Sequence, residues 1–301
     1  MLSENKINIL LGTDWFADCD DAIAVRLLTR MSKRGAVNIL GIGINACTEL
    51  SVPSLDAFLK SEGCPDIEIG IDKEGTDFPG KNTYQLRLSS MPGRHRTNDE
   101  CISGVRLYRK VLSGADGKVD IAEIGFHNIL ASLLKSQPDD ISPLSGIELI
   151  EKKVNKLWLM AGKWDDLETG KEYNFAANKR AREASSFVCE YWPTEITFLG
   201  YGVGEKVLTG GKLKDGDVLK HVLTDYGHPN GRSSWDPMLV LLACINDEEK
   251  AGYSVKRGRA SLDIDTGFNH FDFDEKGRHC FVVKKYDDSY YADIIDEIIK
   301  S

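Results

Sequence analysis

Asp14, Asp18, Asp20 and Asp21 crowd into the stretch LLGTDWFADCDDAIAVRLL, Leu10 to Leu28. Carboxylates this close repel one another, and burying any of them unpaired is costly, so the spacing calls for a positive partner. A helix N-terminus accounts for one or two, because acidic residues cap helices and favour the positive end of the dipole. Asp14 ends the preceding apolar run and falls outside that explanation. Oxygen donors with no nearby His or Cys ligand suit Ca²⁺ or Mg²⁺ over zinc, and a loop with several carboxylates favours calcium. A bound cation lowers the pKa of its water, and a neighbouring carboxylate could take the proton.

Other residues could complete such chemistry. His95 in PGRHRTND and His228 in DYGHPNGRSS sit in Gly/Pro-rich loops, where each is either a solvated histidine or an acid that titrates near neutral pH. Arg94, Arg96 and Arg232 in the same loops are ordinary surface arginines or forks for a phosphate or carboxylate. Asp236, followed by Pro237, reads as a helix N-cap or as a ligand.

These residues need a scaffold, and the hydrophobic pattern supplies one. Strand-length apolar runs alternate with helical periods, the signature of an open, mostly parallel α/β sheet with helices on its faces. Strands are expected at Ile7–Gly12, Val37–Ile44, Ile67–Ile71, Val119–Ile124, Lys156–Met160 and Glu195–Leu199. Helices are expected at Asp21–Lys33, Ser54–Ser61, Ile102–Leu112, Asn128–Lys135 and Asn178–Trp192. Asp72–Asp99 reads as a long surface loop. After DYGHPNGRSSWDP a buried helix is expected at Asp236–Ile245. A hairpin of Ser254–Asp263 and His279–Lys285 then flanks a DEKG turn, and a last helix covers Tyr291–Lys300. With no repeat or clear linker, residues 1–301 read as a single domain.

Composition narrows the partners. A net charge of −9 argues against nucleic acid or an anionic membrane and for a small molecule or cation. The N-terminus lacks the pattern of a secretory signal, so a cytoplasmic location is expected. Seven scattered cysteines without a C-x-x-C pair read as thiols in a reducing compartment, with Cys19 inside the acidic loop.

Several motifs, in order, resemble the nucleoside hydrolases. GTDWFADCDDAIA is similar to a longer-loop form of that family's Asp-x-Asp-x-Gly-x-Asp-Asp motif. AEIGFHNILASLL (Ala122–Leu134), KLWLMAG (Lys156–Gly162), KEYNFAANKRAREA (Lys171–Ala184) and SSWDPMLVLLACI (Ser233–Ile245) resemble its later segments. The resemblance implies calcium-dependent hydrolysis of the N-glycosidic bond of a ribonucleoside or related N-riboside. It implies Asp14, Asp21, Asp236 and the main-chain carbonyl of His127 as calcium ligands, with Asp14 also the general base. Asp20, Glu172 and Asn174 would hold ribose hydroxyls, and a dimer or tetramer would be the assembly.

Departures stand beside the matches. Trp235 occupies the place where many purine-acting members have His, and indole can stack on a base but cannot serve as an acid. The family's first aspartate falls near Gly12, and its helix-starting Asp-Pro at Asn178-Lys179. The alternative is a non-catalytic or divergent protein that binds a ribosyl ligand through the same metal site. A haloacid-dehalogenase-type nucleophile pattern fails at Trp15-Phe16, and no Gly-x-Gly-x-x-Gly follows the first strand.

Overall fold

The structure is a computed structural model that describes residues 6–16, 18–78 and 82–301. In its first strand, β1 (Ile7–Thr13), Ile9 and Leu11 enter one hydrophobic core and Leu10 the other. Both faces of the strand are buried, so the run reads as continuously apolar. The same logic yields β2 (Val37–Ile44), β3 (Ile69–Ile71), β4 (Ile102–Ser103), β5 (Val119–Glu123), β6 (Val154–Met160) and β7 (Glu195–Leu199). β8 (Leu208–Thr209) and β9 (Arg232–Ser233) form a small separate ribbon, and β10 (Tyr253–Leu262), β11 (Asn269–Phe273) and β12 (His279–Lys284) complete the large sheet.

The ten-stranded sheet runs β11-β10-β12-β7-β6-β5-β1-β2-β3-β4. Pairing is parallel from β4 through to β12, and β10 is antiparallel to both β11 and β12. From β1 the chain winds outward through β2, β3 and β4, then returns to the other side of β1 with β5. The β1/β5 boundary is therefore the topological switch point, and ligands of open α/β sheets bind beyond the carboxyl ends of the strands there.

Helices cover both faces. One core packs against α1 (Asp20–Lys33), α2 (Ser51–Ser61), α10 (Val218–Tyr226), α11 (Trp235–Ile245) and α12 (Asp288–Lys300). The other packs against α4 (Gly104–Gly114), α5 (Asn128–Lys135), α6 (Gly146–Lys153) and α8 (Lys179–Tyr191). Three short helices, α3 (Tyr84–Ser89), α7 (Tyr173–Ala176) and α9 (Tyr201–Gly204), lie in connections. Asn178 caps α8, its side chain accepting the Ala181 N–H at 2.9 Å, and this fixes the helix start one residue later than expected.

Helices α6 and α10 and the β8–β9 ribbon lie in stretches to which the hydrophobic pattern assigned no element, and three expected features differ. The stretch expected as a bare loop at Asp72–Asp99 contains α3, whose Tyr84 is fully buried against Trp15. The expected C-terminal hairpin is a three-stranded unit: the DEKG turn joins β11 to β12, but β10 lies between them and pairs with both. Alternation alone cannot tell which strand a neighbour pairs with. Ile102–Ser103 is an edge strand, and α4 begins only at Gly104.

Candidate functional site

β1 ends at Thr13, and the chain then turns sharply at Trp15, whose φ of 55° is left-handed and costly for a residue with a side chain. Packing and hydrogen bonds hold that turn. The Trp15 ring is fully buried, its Nε1 donates to Ser54 Oγ at 2.9 Å, and its carbonyl accepts from Gln85 Nε2 at 2.8 Å. The Thr13 hydroxyl donates to Asp21 and accepts the Trp15 N–H at 3.1 Å, closing the loop between strand and helix.

Asp20 and Asp21 form the first turn of α1, and Asp236 is the second residue of α11. The Asp236 N–H donates to Asp20 Oδ2 at 3.1 Å, joining two helix starts 216 residues apart. Carboxylate oxygens of Asp20, Asp21 and Asp236 lie within 4.8 Å of one another, all three residues buried. Burial pushes all three carboxyls well above the usual range, and the neighbouring aspartates push the same way.

A second acidic group provides a contrast. Glu195 and Glu248 converge with Cys280, but Lys156 Nζ bridges the two glutamates at 2.6 and 2.9 Å and Arg257 meets Glu195 at 2.9 Å. Its charge is already balanced. Around the aspartates the one basic side chain lining the cavity, among the described residues, is Arg232, and its fork is engaged by Asp18 at 2.9 and 3.0 Å. Three buried carboxylates without a basic partner of their own fit a hard divalent cation in donor chemistry and charge.

A cavity of about 300 Å³ opens over this cluster, lined by Asp14, Asp18, Asp20, Asp21, Asp236, Ile124, Met160, Glu172, Tyr173, Asn174, Tyr201, Arg232 and Trp235. Asp14 follows β1, Ile124 follows β5, Met160 ends β6 and Tyr201 lies two residues beyond β7. The cavity thus stands over the switch point. Glu172 caps α7, accepting N–H groups from Asn174 at 2.8 Å and from Gly162 and Phe175 at 3.2 Å each. Burial nonetheless raises its pKa to about 7. Asn174 Nδ2 donates to the carbonyls of Ile124 and Met160 at 3.1 and 2.9 Å, so its oxygen is the group it can offer to a ligand.

Trp235 forms an aromatic wall. It stacks on Tyr201 with centroids 5.3 Å apart, its Nε1 donates to the Tyr201 carbonyl at 2.7 Å, and the Arg232 guanidinium lies 5.1 Å from its ring centroid.

His127, His95 and His228 lie outside the lining. The His127 ring is fully buried against Phe175, with Nδ1 paired to Ser185 Oγ at 2.9 Å, and burial lowers its pKa to about 3. Its carbonyl accepts the Ala131 N–H of α5 at 2.9 Å, and the residue reaching the cavity from this segment is Ile124. His95 faces Asp56 at 3.2 Å and lines a different cavity with Arg94. His228 stacks on Tyr226 behind α10. The Arg94 side chain is likewise taken by Asp56 at 3.1 Å. Cys19 is fully buried, and burial with its acidic neighbours pushes its thiol up, away from nucleophilic use.

Two contributions escaped sequence reasoning. Tyr201 belongs to a Gly-rich stretch that reads as a flexible turn; its place just beyond a strand end is the signal that could have found it. Glu123 is the other. It pairs in register with Gly12, and a Cβ at Gly12 would fall 2.0 Å from Glu123 Oε2, so the carboxyl fills that volume. Its Oε1 accepts from Asn45 Nδ2 at 2.6 Å and from the Gly125 N–H at 3.1 Å, and Asn45 Oδ1 takes the Phe126 N–H at 2.9 Å. This network fixes the turn that carries Ile124 into the cavity.

The chain has the nucleoside hydrolase fold. It is similar to a plant nucleoside hydrolase, PpNRh1, with a TM-score of 0.73 and 14% identity over 99% of this chain and 100% of that one. An inosine-uridine preferring nucleoside hydrolase from Bacillus anthracis superposes with a TM-score of 0.71 and 15% identity, covering 98% and 99% of the two chains. The type III effector protein XopQ, complexed with adenosine diphosphate ribose, does so with a TM-score of 0.71 and 13% identity over 99% and 95%. No family model matches the sequence, and no curated protein matches it. None of the described helices is long and apolar enough to cross a membrane.

Proposed function

We propose that this chain is a calcium-dependent N-ribohydrolase, cleaving the bond between ribose C1′ and a base nitrogen. One observation carries the reading: Asp20, Asp21 and Asp236 converge beside Asp14 in a cavity that also presents Glu172 and Asn174. Asp14, Asp21 and Asp236 would hold the ion, which, when bound, makes water more acidic and a better nucleophile. Asp14 accepts the proton of the attacking water. Asp20 and Glu172 accept hydrogen bonds from ribose hydroxyls, and the Asn174 oxygen accepts a third, fixing the sugar over the carboxylates. As the C1′–N bond breaks, positive charge grows on the sugar, and the anionic floor stabilises it where it forms. A cytoplasmic, single-domain protein acting as a dimer or tetramer is part of the same reading.

The test is ribose release, measured with a reducing-sugar assay over purine, pyrimidine and pyridinium ribosides, with calcium and after chelation. Turnover that requires calcium and vanishes in Asp14→Ala supports the reading. A second reading, a divergent protein that binds a ribosyl ligand without cleaving it, is favoured by the similarity to XopQ, an effector seen with adenosine diphosphate ribose. It predicts calcium-dependent binding of that ligand, measured by calorimetry, and no ribose from any riboside.

A further inference from the structure

The reading above leaves the leaving group unnamed. Resting on that reading, we infer that the cavity selects N-ribosides whose base carries a permanent positive charge, such as pyridinium or N-alkylated purine ribosides, and that lack a 5′-phosphate. Three features of the cavity carry this inference.

The first is charge. Six carboxyl groups line the cavity, those of Asp14, Asp18, Asp20, Asp21, Glu172 and Asp236, against the single guanidinium of Arg232. Asp18 engages Arg232 through Nε and Nη2, and that carboxylate offsets the guanidinium charge a phosphate would meet. A divalent cation and Arg232 together still leave the lining acidic. A phosphate is repelled there and a cation attracted.

The second is the aromatic wall. Planar, delocalised cations favour the electron-rich faces of Trp and Tyr, more so beside a carboxylate and away from water. The Arg232 guanidinium, paired with Asp18, lies 5.1 Å from the Trp235 ring centroid, so this wall already holds one planar cation of the chain's own. Tyr201 and Tyr173 extend the aromatic surface along the lining.

The third is the protonation of the leaving base. A neutral purine or pyrimidine takes the C1′–N electron pair as an anion unless an acid protonates it. Among the described residues the lining contains no imidazole, amine or thiol, and His95 and His228 lie elsewhere. Glu172 titrates at about 7, but both its oxygens accept backbone N–H groups, from Asn174, Gly162 and Phe175, and in the reading above it holds the ribose rather than the base. The phenols of Tyr173 and Tyr201 are made weaker acids chiefly by burial. A cationic base needs no acid. Its C1′–N pair moves onto the ring nitrogen, neutralising it, while the water oxygen bonds to C1′ and one proton passes through Asp14 to solvent. The products are ribose, neutral base and one proton.

The experiment compares 7-methylinosine with inosine, and nicotinamide riboside with its 5′-monophosphate, each rate divided by the rate without enzyme. The expected result is an acceleration at least about tenfold greater for 7-methylinosine than for inosine, and a loss of about tenfold on adding the phosphate. A pH-stat should record one proton per ribose from nicotinamide riboside. Equal acceleration of 7-methylinosine and inosine, or preference for the monophosphate, overturns the inference. Should none of the four release ribose, the hydrolase reading fails, and binding to the calcium-loaded protein by Trp fluorescence then decides the charge preference. Tighter binding of nicotinamide riboside than of nicotinic acid riboside sustains it, and equal or weaker binding overturns it.

Discussion

Chelating divalent cations near pH 8 is expected to lower the thermal stability of this chain, and acidifying the chelated protein is expected to restore part of it. The carboxylate oxygens of Asp20, Asp21 and Asp236 lie within 4.8 Å of one another. At that separation and an effective dielectric of about 20, two unit charges repel by about 3 kcal/mol, and three such pairs by about 10 kcal/mol. A folded domain is stable by only about 5–15 kcal/mol, so full ionisation of the trio demands a counter-charge. Burial raises all three carboxyl pKa values above those of the unfolded chain. The stability such groups contribute is complete below the unfolded pKa and is lost as pH rises through the folded one. Chelated protein should therefore melt higher near pH 5.5 than near pH 8. Calcium at a hundred times its Kd should add about 2.7 kcal/mol near pH 8, which for 301 residues is about 4 °C in Tm. Asp236→Asn removes two of the three repulsive pairs, so it should raise the Tm of the chelated form and erase the calcium response. Differential scanning calorimetry of both proteins, with EDTA or calcium at each pH, makes the comparison. A wild-type Tm near pH 8 that ignores both chelation and calcium would refute the counter-charge argument. So would a chelated form that loses stability on acidification.

Two further outcomes are expected. Glu172 titrates at about 7 because it is buried, so if its carboxylate holds the ribose, kcat/KM falls as pH drops through about 7; Glu172→Gln should lose that acid limb along with at least about tenfold in rate, and a wild-type profile flat from pH 5.5 to 8 argues against the role. Gly12→Ala should cost about 1–3 kcal/mol, because its Cβ meets the buried Glu123 carboxyl; urea melts should show the double variant with Glu123→Ala less destabilised than the sum of its parts, and simple additivity would place the clash elsewhere.

The acidic loop could be read from sequence because its four aspartates are local: one strand-to-helix junction collects them, and the only question left is the counter-charge. Asp236 was readable for a similar reason, since Pro237 marks a helix start. The alternating apolar runs likewise disclosed the parallel sheet. Partners far apart in sequence were hidden. That Arg232 belongs to Asp18, 214 residues away, and Arg94 to Asp56 depends on how strands are ordered, which no spacing encodes. The loop histidines carry suitable chemistry, but Asp56 and Tyr226 engage His95 and His228 away from the cavity. Glu123 was invisible because its role exists only once β1 and β5 are set in register.

That register also ties residue 12 to residue 123. The family resemblance places an aspartate near residue 12, where this chain has glycine, while Glu123 on the neighbouring strand extends its carboxyl into the volume a side chain at residue 12 would take. In this chain the carboxyl beside residue 12 is delivered from β5, and the glycine leaves room for it. Any side chain at residue 12 would compete with Glu123 for that volume, so the two positions can change only together.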